Sequence, residues 1–553
     1  MFVEDFRSEF YNVLTGKRIL IMVNYDIDGI CASKILQSLF KYDNMLYSLM
    51  PVMGLASLQR AYEENRKDVK YVILINCGGC VDIVELLQPE DDVVFFVCDS
   101  HRPLDVCNIY SDKQICILRS STDVEDDIPN FESIFRESDD EESGQSNSEE
   151  EEVDEATRIH RRATKRRERQ RWEEERDRLM FNYTQYSFYG RSSALVMFEL
   201  AWKMSKDCTD LLWWAIVGST EQLLLGKIES STYALEESAV QGHVSRISSQ
   251  LLEQSNQASV KISLEKDLSL ALYRHWSVHD SIRYSMYTAC KLKLWTLRGE
   301  KKLHELLVEM GLPLSQAKQM FASMDLVLRR EFQQMFEKLA EKYGIPDIVY
   351  SSFTLQYGYR NKFSASDYIY SMLALIACNK DRKPEDRFLE AFDSLSRDNR
   401  DLLLSGIEKS KKLLAVIFKQ VQSSLEMNQV HVAGSFLYYI VSEENIYFAH
   451  PYGVLLLGKF ILNGYVATSR SRRAADLPLV VSCLVDSQHD LCLLAGIPPV
   501  KETSPKNFFG KAFEQAASRS NSSILQDFFE TSIIQIRQSD LTKFLDALSV
   551  LLG

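Results

Sequence analysis

The chain has no surplus of positive charge. Its 553 residues carry 64 Lys and Arg against 78 Asp and Glu, a net charge of −14, and its pI is near 5.3. That excludes a histone-like polycation, so any nucleic-acid contact must come from a local basic groove. No stretch approaches the roughly 20 apolar residues that span a bilayer. The most apolar runs, Val454–Leu457 and Leu477–Val485, have the length of buried strands or a short helix, and no membrane association is expected. Acidic residues interrupt the opening Met1–Arg7 at once, unlike a secretory signal. The 11 cysteines are odd in number and lack framework spacing, which predicts reduced intracellular thiols. Gly-x-Gly-x-x-Gly and Walker loops are absent, so the chain is not expected to hydrolyse ATP. What remains, 45% hydrophobic and 26% charged, is the composition of a globular chain of several domains.

The acidity is concentrated. Glu137–Glu155 holds 11 acids in 19 residues, and without that run 67 acids nearly balance the 64 bases. A segment so charged, and rich in Ser, Gly and Asn, cannot bury enough apolar surface to offset ordering entropy, so disorder is expected. The sign then reverses: Arg158–Arg178 has 10 Lys or Arg against 5 Asp or Glu. Arg161, Arg162, Lys165, Arg166 and Arg167 form a candidate nuclear-import address. A solvated helix with paired charges explains the same residues.

The first 120 residues alternate strand and helix. Arg18–Val23, Leu46–Val52, Tyr71–Ile75, Val93–Val97 and Ile115–Leu118 read as strands, with helices at Gly29–Phe40, Leu55–Asn65 and Val81–Leu87. Apolar strands alternating with helices predict a parallel sheet covered on both faces, with ligands beyond the strands' carboxyl ends. From Tyr183 to Gly344 the periodicity is helical, as at Leu303, Leu306, Leu307 and Met310. The last 125 residues return to mixed character, with strands at Phe436–Val441, Leu479–Val485 and Leu491–Ile497.

Three predicted strand ends carry polar clusters: Asn24–Gly29, Asn76–Gly79 and Asp99–Pro103. Asp26, Asp28, Asp99 and His101 offer hard oxygen donors and one imidazole, a set suited to Mn²⁺ or Mg²⁺. Each piece alone also serves as a turn or helix cap. Arg102 is the nearest candidate counter-ion if no metal binds. Cys77 and Cys80 lack a second pair at zinc spacing. His275 and His279 lack the adjacent Glu of a zinc protease, with Trp276 in its place, and read as packed.

The order Asp26-x-Asp28-Gly29, a Gly-containing turn after the next strand, and Asp99-x-His101 resembles the DHH phosphoesterases, including the RecJ single-strand exonucleases. Gly190–Ala194 resembles that family's Gly/Ser turn, and Gly218–Gln222 stands where its last acidic motif is expected. The resemblance implies two-metal phosphodiester hydrolysis, but Asn76 replaces an Asp, Ser100 the first His, and Glu221 an Asp. Longer blocks in order (Met1–Phe10, Leu272–Ser281, Lys291–Trp295, Met310–Pro313, Lys362–Asp367, Lys506–Gln515) are similar to the RecJ-like branch that serves the eukaryotic replicative helicase.

That likeness implies a nuclear, non-catalytic scaffold acting in initiation and elongation of DNA replication. Its partners would be the MCM ring, which supplies the ATPase, the GINS complex, the leading-strand polymerase as a further neighbour, and single-stranded DNA. No cofactor is expected beyond a residual divalent metal. The rival is an active Mn²⁺-dependent single-strand exonuclease. Candidate DNA contacts are Arg470, Arg472, Arg473, Lys501, Lys506 and Lys511. The expected fold is α/β. A parallel-sheet DHH domain (1–136 and 181–225) is interrupted by the charged insert 137–180. A helical region (226–400) and a mixed α/β DHHA1-like domain (401–553) follow.

Overall fold

The computed structural model describes residues 1–119, 128–135, 155–254, 260–358, 361–378, 382–441, 443–486, 488–501 and 505–553. The acidic run up to residue 154 lies outside the described residues.

Six parallel strands open the chain: β1 (Phe2–Val3), β2 (Arg18–Asn24), β3 (Leu46–Val52), β4 (Tyr71–Ile75), β5 (Val94–Cys98) and β6 (Ile115–Leu118). Their order is β1-β6-β5-β4-β2-β3. Side-chain alternation assigns the faces of β2. Ile19, Ile21 and Val23 join one core, whereas Leu20 and Met22 join another with Leu58, Tyr62 and Ile83. The first core takes in helix α1 (Ile27–Tyr42), and the second helix α2 (Leu55–Asn65).

Helix α3 (Glu155–Thr184) follows the acidic run. It is exposed along 163–171, Lys165, Arg166 and Arg167 included, and pairs Arg169 with Glu173 at 3.1 Å. Such pairs support a helix with no apolar face. The side chains of Arg161 and Arg162 lie outside the described residues. The chain then returns to the first core through α4 (Ser193–Lys203) and α5 (Thr209–Leu224), which pack on α1. Trp213 and Trp214 are buried there.

The middle region is helical, but it also holds an antiparallel sheet that helical periodicity conceals: β7 (Val260–Leu268), β8 (Val349–Tyr357) and β9 (Asn361–Ser364), in the order β9-β8-β7. In β7, Lys and Glu interrupt the apolar alternation, and Glu265 pairs with Lys362 at 2.6 Å. Helices α6 (Ala365–Ala377) and α7 (Arg400–Glu426) pack together next. A capping box between Ser364 and Asp367 starts α6.

The last sheet is mixed. It contains β10 (His431–Ala433), β11 (Phe436–Val441), β12 (Leu479–Asp486), β13 (Leu491–Ile497), β14 (Ile524–Leu525) and β15 (Ile533–Arg537), in the order β10-β11-β12-β13-β15-β14. Helix α8 (Pro451–Thr468) covers one face. It contains Val454–Leu457, which is therefore helix rather than strand. Helices α9 (Phe509–Ser520) and α10 (Gln538–Leu552) cover the other.

The two ends of the chain meet. Leu55 N donates to Asp527 O at 2.8 Å, and Ala56 N donates to Asp527 Oδ1 at 2.7 Å. A residue far along the chain thus supplies acceptors to the free N–H groups that start α2. Replacing Asp527 with Ala is expected to lower stability by about 1 kcal/mol, read as a lower urea midpoint with an unchanged slope.

Candidate functional site

The carboxyl ends of β2, β4 and β5 deliver the predicted clusters to one buried place. Asp26 caps α1, accepting from Gly29 N at 2.8 Å. Asp28, in the first turn of α1, meets the start of α4: Oδ1 accepts from Ser192 Oγ (2.5 Å) and Ala194 N (3.0 Å), and Oδ2 from Ser193 N (2.8 Å). A carboxylate on a helix N-terminus is favoured by the dipole and the free N–H groups. Gly218 makes room for this approach. A Cβ there would lie 2.6 Å from Ala194 Cβ and 2.9 Å from Asp28 Oδ1.

Asn76 stands between the two aspartates. Its Nδ2 donates to Asp26 Oδ2 at 2.8 Å and Asp28 Oδ2 at 3.1 Å. Its Oδ1 accepts from Ser193 Oγ (2.5 Å) and Ser100 N (3.1 Å). The substitution that breaks the DHH pattern is therefore structural: an amide donates where a bridging acid would accept. Ser100, the second departure, completes the same network.

Asp99 accepts from Gly79 N (2.9 Å) and His101 N (2.9 Å), and His101 Nδ1 lies 2.7 Å from its Oδ1. Burial pushes Asp99 up, but His101 and the N–H donors outweigh it and hold the carboxyl below its ordinary range. Burial likewise presses His101 toward neutrality, and Asp99 overcomes it and raises the imidazole. Arg102, expected as a counter-ion, instead sends Nη1 to the carbonyls of Asp99 (2.7 Å) and His101 (2.9 Å). The cation beside Asp26 is Lys227, whose Nζ is 2.8 Å from Glu221 Oε1. Asp26 is raised to about 7, chiefly by burial, with Lys227 and His101 opposing the rise and Asp28 and Glu221 adding to it. Burial also raises Glu221, against the pull of Lys227.

Glu530 reaches in from the last sheet and accepts from the Tyr189 hydroxyl. His101 lines three cavities among the described residues, the largest about 580 Å³, and Phe529 of the same loop lines all three. Sequence reasoning missed Lys227, Tyr189 and Glu530. Lys227 follows the flagged Gly218–Gln222 segment by five residues, but nothing local marks Glu530.

These residues do not fit a two-metal centre. The carboxylate oxygens of Asp26, Asp28 and Asp99 already accept from protein donors. Asn76 turns its amide hydrogens, not an anion, toward the aspartates. Among the described residues no three of Asp26, Asp28, Asp99 and His101 bring ligand atoms within 4.8 Å of one another; Asp82, Asp105 and Cys107 do so elsewhere. No hydrolytic step follows from this geometry.

The remaining candidates are surface cations, some with local partners among the described residues. Arg470, Arg472 and Arg473 are exposed, and Lys501 beside them pairs with Asp476 at 2.8 Å. Lys506 lies over the Phe188 ring at 5.4 Å, and Lys511 pairs with Glu514 at 2.8 Å at the edge of the large cavity. His275 meets Asp367 and His279 meets Asp280. Cys77 is buried and donates to Met22 O.

Asp26 binds its proton more tightly folded than unfolded. Its contribution to stability is full below the unfolded value near 3.8 and is lost as pH rises through about 7. Asp26→Asn removes that loss. Compared with wild type by urea unfolding, the variant is expected to gain relative stability between pH 5 and pH 8.

With this geometry in hand, comparison with known proteins gives a consistent result. The family model described as CDC45 matches residues 19–158 and 136–551. Cell division control protein 45 homolog of Homo sapiens is 42% identical over 568 residues, covering 100% of both chains. The homolog of Schizosaccharomyces pombe is 28% identical, covering 97% of this chain and 96% of its own. The crystal structure of CDC45 from Entamoeba histolytica superposes with a TM-score of 0.73 at 24% identity, covering 100% of each chain, and so shares the fold. A family model that matches nearly the whole chain, and a relative 42% identical along its full length, place the chain in the CDC45 family.

Proposed function

We propose that the chain serves DNA replication as a non-catalytic scaffold of DHH type. It would stand in the replicative helicase beside an MCM ring, which supplies ATP hydrolysis, and a GINS complex, with the leading-strand polymerase as a further neighbour. The observation that carries this reading is the Asn76 amide: with Asp26 and Asp28 both bound to it and to helix N–H groups, no anionic cradle remains for two metal ions among the described residues. Relatives named for control of cell division support the same process. Such work places the protein in the nucleus, with Lys165, Arg166 and Arg167 presented on an exposed helix as the import address.

Function then resides in surfaces, each needing well over roughly 1,000 Å² of complementary contact. Single-stranded DNA would be held by Arg470, Arg472, Arg473, Lys501, Lys506 and Lys511. The proposed domain division joins 1–136 to 181–225, and the packing of α4 and α5 on α1 supports it.

An end-labelled single strand incubated with Mn²⁺ tests the central claim. Binding without shortening, equal in wild type and Asp26→Ala, is the expected result. Shortening that the mutant abolishes would restore the exonuclease. Arg470, Arg472 and Arg473 changed together to Ala should weaken binding and flatten the plot of log affinity against log salt. The slope should fall by about 2, at roughly 0.7 per lost phosphate contact. An unchanged slope removes these residues from the strand's path.

A further inference from the structure

A buried group of carboxylates needs positive partners, because isolated charge in a low-dielectric interior is strongly unfavourable. Asp28 is 1% exposed and Glu221 0%. Two members of the group are balanced by what lies next to them. Asp99 has the His101 imidazole, and Asp28 has the N-terminus of α4 with its hydroxyl and N–H donors. Asp26 and Glu221 are left. The Asn76 amide and Gly29 N serve Asp26, but neither carries a full charge. Glu221 is barer: neither oxygen has a well-aligned hydrogen-bond donor among the described residues, and the cation in contact with it is the Lys227 ammonium at 2.8 Å, with His101 and Lys459 also in its field.

The chain is built to hold that ammonium there. Helix α5 carries Glu221 and ends at Leu224. Gly226 then adopts φ +62°, Gly226 N bonds Leu223 O at 3.0 Å, and Lys227 N bonds Gln222 O at 2.8 Å. This glycine reversal closes the helix's last carbonyls and turns the chain back. Lys227 therefore returns beside the helix that carries its partner. Its Nζ also lies 4.6 Å from the Tyr189 ring centroid, where the π face adds to the attraction for a cation. The same ring packs on His101 at 5.1 Å. Glu530, bonded to the Tyr189 hydroxyl, closes the far side.

We propose that the Lys227 ammonium is the built-in cation of this centre, taking the electrostatic role of a divalent metal ion and closing the site to one. This rests on the non-catalytic reading above. A tethered ammonium is a compact point charge. It neutralises Glu221 and its field reaches Asp26, it cannot be chelated away, and it cannot polarise a water into a nucleophile as a metal does. The ligand excluded is a hard divalent cation of the Mn²⁺ or Mg²⁺ class. Removing the ammonium alone should create an appetite for one.

The test uses the full-length chain as wild type, Lys227→Met, and the double variant Lys227→Met with Glu221→Gln. Free Mn²⁺ is counted from its electron paramagnetic resonance signal, and thermal unfolding is followed with and without Mn²⁺. Wild type should take up no Mn²⁺, and its midpoint should not respond to it. Lys227→Met should melt several degrees lower, take up Mn²⁺, and recover its midpoint when Mn²⁺ is added. The double variant should recover without metal, because the uncompensated carboxylate is gone. Stoichiometric uptake by wild type overturns the assignment. So does a Lys227→Met protein that melts like wild type, or one that is weakened but ignores Mn²⁺. If Lys227→Met does not fold, the double variant decides: a folded, Mn²⁺-insensitive protein supports the assignment, and an unfolded one overturns it in favour of a packing role. Mn²⁺ uptake by wild type without strand shortening would remove only the role of Lys227. Metal-dependent shortening would remove the non-catalytic reading itself.

Discussion

The structure depends on one amide. Asn76 gives both hydrogens of Nδ2 to carboxylates from the β2–α1 turn, and its Oδ1 accepts from Ser193 at the head of α4 and from Ser100 beyond β5. Four segments, the farthest of them 117 residues along the chain from Asn76, meet at one side chain. A carboxylate in its place would have nothing to donate, and three acids would face one another in a buried space. Asn76 also sits at φ +52°, a left-handed conformation that Asn tolerates better than most residues. The backbone therefore aims the amide into the cluster.

Around that amide the protein solves an electrostatic problem with local means. Asp28 lies on the first turn of α4, Asp99 is matched by His101, and Glu221 is matched by Lys227. Each solution requires close packing. Without the bare Cα of Gly218, α5 would press on Ala194 and Asp28, and α4 could not present its N–H groups. Burial of so much charge is seldom a net source of stability; its return is a single, specified arrangement. Here that arrangement explains how a crevice with so many buried acids stays folded.

The C-terminal sheet completes the crevice from outside. Asp527 supplies the start of α2 with acceptors, and Glu530 takes the Tyr189 hydroxyl. The segment between them lines the cavities that reach His101. One short loop therefore joins a sheet formed by the last residues to the strand ends of the first sheet. The cores on the two sides do not need to merge for the ends to be coupled.

Much of this was legible in the chain itself. Apolar runs of strand length between helical periods placed β2 to β6 to within a residue or so, because a doubly covered parallel sheet writes its burial into local sequence. The polar clusters after β2, β4 and β5 marked the crevice, because a strand's carboxyl end is where such folds place their chemistry. The antiparallel strand β7 was hidden because its charged residues break the alternation, and Glu265 among them pairs across the sheet with Lys362, a partner 97 residues away. Arg102 looked like the counter-ion because it is near in sequence. Lys227 is the counter-ion because the glycine turn after α5 brings it near in space. Local sequence thus determined the elements and the acids that had to be neutralised. Only the tertiary structure decided which cation and which amide would do it, since Coulomb energy and hydrogen bonding depend on distances that the chain order does not contain.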